Sequence, residues 1–184
     1  MPTREPQIEA GSSGTLYWLT GLAGAGKTTL GRLLINRIRE NNPRSVFLDG
    51  DLLRDVFDID GGVKLAERLQ LAMRYARLCR DLTEQNLDVV CCTISLFPEV
   101  WNWNRRNIPG YREIYVRVPM DILQRRDVKG LYSAAQKGDI QNVVGVDLPF
   151  NEPTEPDLII DNDGSSDPEN ISSQILEALS DPLQ

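Results

Sequence analysis

The sequence predicts an α/β fold: a five-stranded parallel sheet with helices on both faces and a short lid. Apolar runs of strand length alternate along the chain with segments whose apolar residues recur at helical spacing. Most of these runs are apolar nearly throughout, which is typical of parallel strands buried on both faces. A glycine-rich segment joins the first run to the first helical segment. The length of 184 residues fits one domain with a sizeable core.

Five apolar segments predict the strands of this sheet. They are 15–20, 45–50, 87–96, 112–118 and 156–161. The intervening segments predict helices, of which one ends near Asn41 and one spans about 63–84. Two more begin at Pro98 and Pro119, since proline is favoured in the first turn of a helix. A closing helix is predicted over 167–180. We expect the apolar stripes of these helices to pack on the sheet.

The chain is predicted to form a single domain over residues 15–180. Residues 1–14 are polar and rich in Gly and Ser, and we expect them to be a disordered lead-in. Residues of about 126–150 mix helical and irregular patterns and predict the lid. Its second half, "KGDIQNVVGVDLPF" (137–150), contains two glycines at which the chain can bend.

The composition excludes several classes of function. The net charge of −7 argues against a protein that binds nucleic-acid polymers through a basic surface. No run reaches the ~18 apolar residues of a membrane span, and no signal-peptide pattern opens the chain, so we predict a cytoplasmic protein without membrane association. The chain has no histidine, so a general base must be another residue type. Cys79, Cys91 and Cys92 lack disulfide or zinc spacing and are predicted to be buried thiols.

The segment "GLAGAGKT" (21–28) matches the phosphate-binding pattern G-x-x-x-x-G-K-[ST], between a predicted strand and a predicted helix. Glycines let backbone N–H groups approach a phosphate closely, and the helix N-terminus favours its negative charge. Lys27 would reach the β- and γ-phosphates, and the Thr28 hydroxyl would bind Mg²⁺. We therefore predict ATP and Mg²⁺ as cofactors. The predicted binding residues in this segment are Gly21, Gly24, Ala25, Gly26, Lys27, Thr28 and Thr29.

Two carboxylates follow the second predicted strand. Asp49 and Asp51 lie at the carboxyl edge of the sheet, where open α/β sheets bind ligands. Carboxylates there can hold a hydrated Mg²⁺ and accept a hydroxyl proton, so we predict Asp49 as a metal ligand beside Thr28. Arg54 follows one helical turn later and could face the same cleft. The chain lacks an N-K-x-D motif, which argues against a GTPase and favours a small-molecule kinase.

At these motifs the chain resembles the adenylylsulfate kinase family. The family's motifs appear here as "GLAGAGKTT", "DGDLLR", "TISLF" and "RRDVKGLYSAAQKGDIQNVVGVDLP", and the resemblance covers roughly 15–162. It implies a P-loop kinase fold with a lid and the transfer of phosphate from ATP to the 3′-hydroxyl of a nucleotide. It also implies dependence on Mg²⁺ and a homodimer.

The resemblance assigns roles by position. Asp51 resembles the general base, and Lys27 and Lys129 resemble cations that contact the transferring phosphoryl group. Arg126 resembles a residue of the ATP site at the start of the lid. The positions that resemble the acceptor site are Asp49, Arg54, Arg68, Ile94, Ser95, Lys129, Gly130, Leu131 and Val143.

Several residues depart from the family pattern on the acceptor side. Val63 and Val143 stand where the family has the two aromatic residues that would sandwich adenine. Leu71 replaces an asparagine, and Leu96 and Phe97 replace a Pro-Tyr pair. Because base–aromatic stacking contributes about 1–3 kcal/mol per contact, these changes would weaken adenine binding. The narrow apolar slot that is left would suit a smaller pyrimidine ring.

The sequence leaves the acceptor open. The family's own substrate is adenylylsulfate, and the alternative is cytidine diphosphoramidate, which is phosphorylated by similar proteins of polysaccharide modification. Further alternatives are a kinase of gluconate or shikimate type and a non-catalytic nucleotide-binding regulator. The sequence also leaves open whether one group of aromatic and basic residues lines the site or is structural. These residues are Trp101, Trp103, Arg105 and Arg106.

Overall fold

A computed structural model describes residues 13–58 and 64–180 of the chain. Within these ranges the backbone forms five strands, seven α-helices and one 3-10 turn. The strands are β1 (Leu16–Thr20), β2 (Ser45–Asp49), β3 (Asp88–Thr93), β4 (Tyr111–Arg117) and β5 (Leu158–Asp161). The helices are α1 (Lys27–Asn41), α2 (Gly50–Val56), α3 (Leu65–Glu84), α4 (Pro98–Asn107), α5 (Met120–Arg126), α6 (Leu131–Lys137) and α7 (Pro168–Ser180). The 3-10 turn, Val128–Gly130, joins α5 to α6.

The five strands form one sheet in the order β2-β3-β1-β4-β5, and every pair is parallel. This confirms the predicted fold class. In a parallel sheet all strands end at the same edge, so the loops that follow them meet there. Because β1 is the central strand, the phosphate-binding segment after it lies at the middle of that edge. Strand β3, whose last five residues are buried, is the continuous apolar run that the sequence predicted as a buried strand.

The core consists of two apolar clusters, one on each face of the sheet. Trp18 belongs to one cluster together with residues of α3 and α4, and Leu19 belongs to the other together with residues of α1 and α7. Neighbouring residues of a strand point to opposite faces, so β1 contributes to both clusters. Gly31 lets α1 approach the sheet, since a Cβ there would lie 2.3 Å from the Cys92 sulfur. The predicted packing of the helical stripes is therefore confirmed.

The three cysteines are buried and free, as predicted. Burial raises the pKa of the Cys92 thiol to about 12, so this group stays protonated and apolar in the core. Among the described helices, none combines the length and the apolar character needed to cross a membrane.

Several boundaries differ from the sequence predictions by one or more residues, and three of these differences coincide with specific contacts. Gly14 is buried and its N–H donates to the Thr83 carbonyl at 2.9 Å, so assigning this residue to a disordered lead-in was wrong; residues 1–12 lie outside the described part. Strand β3 ends at Thr93, and the Ile94 carbonyl accepts a bond from the Thr20 hydroxyl at 2.9 Å. Strand β5 begins at Leu158, two residues later than predicted, because the N–H of Glu113 donates to the Asp157 side chain at 2.6 Å.

Helix α4 holds the aromatic and basic residues whose role the sequence left open. Trp101 is buried and its indole N–H donates to the Ser95 carbonyl at 3.1 Å. The Trp103 ring packs under the Arg80 guanidinium, 5.6 Å from the ring centre. Arg105 donates to the carboxylate of Glu113. This contact lies near the N-terminal end of β4, away from the carboxyl edge of the sheet where we expect ligands to bind. All three side chains thus make contacts within the protein, and Arg106 is exposed.

Glu113 makes the stability of the fold depend on pH. Burial raises the pKa of this carboxyl from 4.5 to about 7, against the opposing effect of Arg105. At a pH between 4.5 and about 7, Glu113 is ionised in the unfolded chain but protonated in the folded chain. The free energy of unfolding therefore decreases as the pH rises through this range. We predict that the stability of Glu113→Gln relative to the parent protein increases from pH 5 to pH 7. Urea unfolding across this range measures it, and a difference that is constant with pH would contradict the assignment.

Candidate active site

The phosphate-binding segment lies between the end of β1 and the start of α1. Gly24 and Gly26 have positive φ angles of 76° and 94°, which non-glycine residues rarely adopt. A Cβ at Gly26 would also lie 2.5 Å from the side-chain nitrogen of Asn162. The segment thus needs glycine both for its conformation and for its close contact with a neighbouring loop. It leads into the N-terminus of a 15-residue helix, whose free N–H groups and dipole favour a bound phosphate.

Lys27 is the buried cation of this segment. Only 9% of it is exposed, and its ammonium donates to the Leu22 carbonyl at 2.7 Å. Burial lowers the pKa of Lys27 from 10.5 to about 8, while the neighbouring Asp49 acts in the opposite direction. A cation held with so little neutralising charge is complementary to an incoming anion.

A hydrogen bond joins the phosphate-binding segment to the end of β2. The exposed Thr28 hydroxyl donates to one carboxylate oxygen of Asp49 at 2.7 Å. The other oxygen of Asp49 accepts the N–H of Asp51 at 2.9 Å and so caps helix α2. These oxygens are of the type that Mg²⁺ prefers, and the structure places the two predicted metal ligands together. Among the described residues no group of three or more His, Cys, Asp or Glu side chains could hold a metal.

Asp51 brings together residues that are far apart in the sequence. Its carboxylate pairs with Arg54 on the next turn of α2 and with Lys129 of the 3-10 turn, whose ammonium is 3.0 Å away. Lys129 and Asp51 are largely exposed, with 77% and 59% of their side chains accessible. The predicted base and the predicted lid cation therefore form an exposed ion pair.

The predicted acceptor arginines, Arg54 and Arg68, lie near each other. Arg68 of α3 donates to the Asn142 carbonyl at 2.8 Å, which connects α3 to the second half of the lid. Burial and then the positive charge of Arg54 lower the pKa of Arg68. Guanidinium groups are the type of donor that binds phosphate and similar anions, so this pair fits the predicted acceptor site.

The second half of the lid forms a small ordered turn around Val143. The Asp147 carboxylate accepts the N–H of Asn142 at 2.6 Å and also that of Val143, and Val144 pairs with Leu148. Val143 is buried, with 6% exposed. Val63, the other apolar residue predicted beside the acceptor base, lies outside the described residues.

Ile94 and Ser95 directly follow β3, next to the end of β1. The Ser95 hydroxyl lies 2.7 Å from that of Thr93, and the residue is buried. The half-buried Ile94 is held through its carbonyl by Thr20. Both residues of the predicted acceptor site thus lie at the ligand edge, and the described contacts of Ser95 are made within the protein.

Two bonds connect the base of the lid to the phosphate-binding segment. Arg126 donates to the Gly24 carbonyl at 3.4 Å and to the Asn162 carbonyl at 2.9 Å. The Tyr132 hydroxyl donates to the Ala23 carbonyl at 2.8 Å. Between these anchors Lys129 and Gly130 adopt positive φ angles of 62° and 67° and lead into α6.

Asn162 was missed by the sequence analysis. It follows β5, and its amide donates to the Ala25 carbonyl at 2.8 Å. Its position after the last strand at the ligand edge is the one sequence signal that could have pointed to it.

A family model described as adenylylsulphate kinase matches residues 13–161. The chain belongs to the adenylylsulfate kinase family. The predicted resemblance is thereby confirmed, and the protein is a phosphotransferase with a hydroxyl group as acceptor. Family membership sets aside the alternatives of a gluconate-type or shikimate-type kinase.

Individual relatives match almost the full length of the chain. The cytidine diphosphoramidate kinase of Campylobacter jejuni is 38% identical over 169 residues, which cover 89% of this chain and 95% of the relative. The probable adenylyl-sulfate kinase of Aeropyrum pernix is 35% identical over 164 residues, covering 86% and 89%. The Mycobacterium tuberculosis APS kinase CysC, solved with AMPPNP and APS, superposes with a TM-score of 0.83 at 27% identity, covering 93% of this chain and 100% of that one.

The pKa of Lys27 predicts how nucleotide binding depends on pH. Below pH 8 the free protein already carries the charged ammonium that phosphates require. Above pH 8 it must take up a proton to bind, so affinity should fall by up to about tenfold per pH unit. Calorimetric titration with a nonhydrolysable ATP analogue from pH 7 to 9.5 measures this. Lys27→Arg, which stays charged, is the control and should bind with little pH dependence. An affinity of the parent protein that is constant to pH 9.5 would contradict the prediction.

Proposed function

We propose that the protein transfers the γ-phosphoryl group of ATP to the ribose 3′-hydroxyl of a nucleotide, and that cytidine diphosphoramidate is preferred to adenylylsulfate as the acceptor. In this reaction the acceptor's 3′-oxygen bonds to the γ-phosphorus. The bond from that phosphorus to the β,γ-bridging oxygen breaks, and ADP leaves. The hydroxyl proton goes to the Asp51 carboxylate.

The support for the chemistry is the meeting of Lys27, Asp49, Asp51 and Lys129 at one edge of the sheet. ATP would lie along residues 21–28, with Lys27 leaving the Leu22 carbonyl to reach its phosphates. Thr28 and Asp49 would hold Mg²⁺, which when bound neutralises charge on the phosphates. Lys129 is positioned to stabilise the transferring group from the side of the lid. Most of the rate enhancement then comes from positioning and electrostatic stabilisation.

The exposed Asp51 carboxylate is supported as the acceptor of the proton. Its present partners, Arg54 and Lys129, are both cations that the phosphate groups of the two substrates would engage. Substrate binding would draw these cations toward phosphate and release the carboxylate for the hydroxyl. Arg54 and Arg68 would then hold the acceptor's own phosphate groups.

The observation that carries the proposed acceptor is the buried Val143. Its backbone N–H donates to Asp147, and the carbonyl of the adjacent Asn142 accepts from Arg68, a residue that we assign to the acceptor side. Valine presents no ring on which adenine could stack. The Campylobacter jejuni relative, named for cytidine diphosphoramidate, supports the same choice because it matches nearly end to end.

A comparison of acceptors tests this proposal directly. With ATP and Mg²⁺, we expect kcat/KM for cytidine diphosphoramidate to exceed that for adenylylsulfate by about tenfold or more. This ratio corresponds to the binding free energy of one lost stacking contact. Coupled measurement of ADP release gives both constants. A preference for adenylylsulfate would overturn the proposed acceptor while leaving the kinase chemistry intact.

A substitution within the lid tests whether Val143 causes the preference for cytidine diphosphoramidate. Val143→Phe should lower the KM for adenylylsulfate by about tenfold, because it supplies a stacking surface. Val146→Phe is the matched control, since Val146 lies in the same turn but is 40% exposed. The same shift in both variants would contradict a specific role for Val143.

The role of Asp51 gives a further prediction. Asp51→Asn keeps the shape of the side chain but cannot take the hydroxyl proton, so kcat should fall by roughly two or more orders of magnitude with little change in the KM for ATP. Asp55→Asn, an exposed carboxylate of the same helix, is the control. Turnover near that of the parent protein in Asp51→Asn would remove this residue from the role of base.

Two properties implied by the sequence stay predictions. The homodimer suggested by the family resemblance is measured by light scattering on the purified chain. The cytoplasmic location is measured by fractionation of the producing cells.

A further inference from the structure

Four successive carbonyl groups of the phosphate-binding segment accept hydrogen bonds from side chains. The Leu22 carbonyl accepts from Lys27, within the segment itself. The next three accept from residues outside it. They are the carbonyls of Ala23, Gly24 and Ala25, bonded by Tyr132 at 2.8 Å, Arg126 at 3.4 Å and Asn162 at 2.8 Å.

These bonds determine where the segment's N–H groups point. A peptide unit is planar and trans, so its carbonyl and the N–H of the following residue point in opposite directions. Tyr132, by holding the Ala23 carbonyl, fixes the N–H of Gly24, and Asn162, by holding the Ala25 carbonyl, fixes the N–H of Gly26. Both glycines have positive φ and, having no Cβ, would otherwise sample many orientations.

The two donors are themselves held firmly. Tyr132 is 1% exposed, and its backbone N–H donates to the Asp127 carboxylate at 2.8 Å. The Asn162 carbonyl accepts from the Arg126 side chain at 2.9 Å, and the Asn162 backbone N–H donates to the Arg117 carbonyl at 3.0 Å. Because Tyr132 and Asn162 are themselves held in place, each can hold the carbonyl that it bonds in a fixed orientation.

We propose that Tyr132 and Asn162 are positioning residues for ATP, which orient the N–H groups of Gly24 and Gly26 toward the phosphates. This inference rests on the proposed use of ATP. It assigns the base of the lid a part in binding the phosphoryl donor, in addition to presenting Lys129 to the acceptor side. Neither side chain needs to touch the nucleotide phosphates, because each acts through the peptide that it holds.

Calorimetric titration with AMPPNP and Mg²⁺ tests the proposal through binding alone. Tyr132→Phe removes one hydroxyl and keeps the packed ring, and Asn162→Ala removes the amide of a half-buried side chain. Each should weaken AMPPNP binding by about five- to tenfold, the effect of one lost hydrogen bond. The KM for the nucleotide acceptor should stay within about twofold.

Tyr111→Phe is the matched control. Tyr111 is also buried, but it lies at the N-terminal end of β4, opposite the phosphate-binding edge. Tyr111→Phe removes a buried hydroxyl and should leave the affinity for AMPPNP unchanged. Thermal unfolding of all variants, followed by circular dichroism, gives the stability change separately from binding.

The outcomes distinguish this inference from the proposed function. If the parent protein binds AMPPNP and both variants bind equally well, with only a lower melting temperature, Tyr132 and Asn162 are merely structural and the inference is wrong. If both variants weaken binding and Tyr111→Phe does not, the inference holds. If the parent protein does not bind AMPPNP, the proposed use of ATP fails first and the inference falls with it.

Discussion

The hydrogen bond between Thr28 and Asp49 connects the two halves of the site. Thr28 lies in the first turn of the helix after the central strand β1, and Asp49 ends the edge strand β2, with β3 between the two strands. The same carboxylate caps α2 through the N–H of Asp51. The phosphate-binding segment, the predicted metal ligands and the predicted base are therefore held in one arrangement by a single side chain. A parallel sheet makes this possible, because it brings every strand end to one edge.

The charged groups of the site have hydrogen-bond or ion-pair partners within the protein. Lys27 bonds a carbonyl of its own segment, Asp51 pairs with Arg54 and Lys129, and Arg68 bonds the lid. The proposed substrates supply the same kinds of partner: phosphates for the cations and a hydroxyl for the carboxylate. Binding would exchange internal partners for external ones, which keeps the cost of ordering the site small because these side chains already meet.

Much of the fold and of the site could be predicted from the sequence, since both depend on local patterns. The glycines and Lys27 form a contiguous motif, and the carboxylates follow a recognisable strand. Contacts between distant segments could not be predicted this way. Asn162 acts on a segment 137 residues earlier, and nothing around it in the sequence indicates an amide donor. The pairing of Arg105 with Glu113 depends equally on how α4 returns to β4, which spacing alone does not specify.

The central claim is the transfer of a phosphoryl group to a ribose 3′-hydroxyl, and ³¹P NMR of the reaction tests it most directly. The purified protein is incubated with ATP, Mg²⁺ and cytidine diphosphoramidate until ADP has accumulated. The account predicts a new phosphomonoester signal, coupled to the ribose H3′ and equal in amount to the ADP formed. ADP accompanied by inorganic phosphate alone, or a phosphomonoester coupled to another ribose proton, would contradict it.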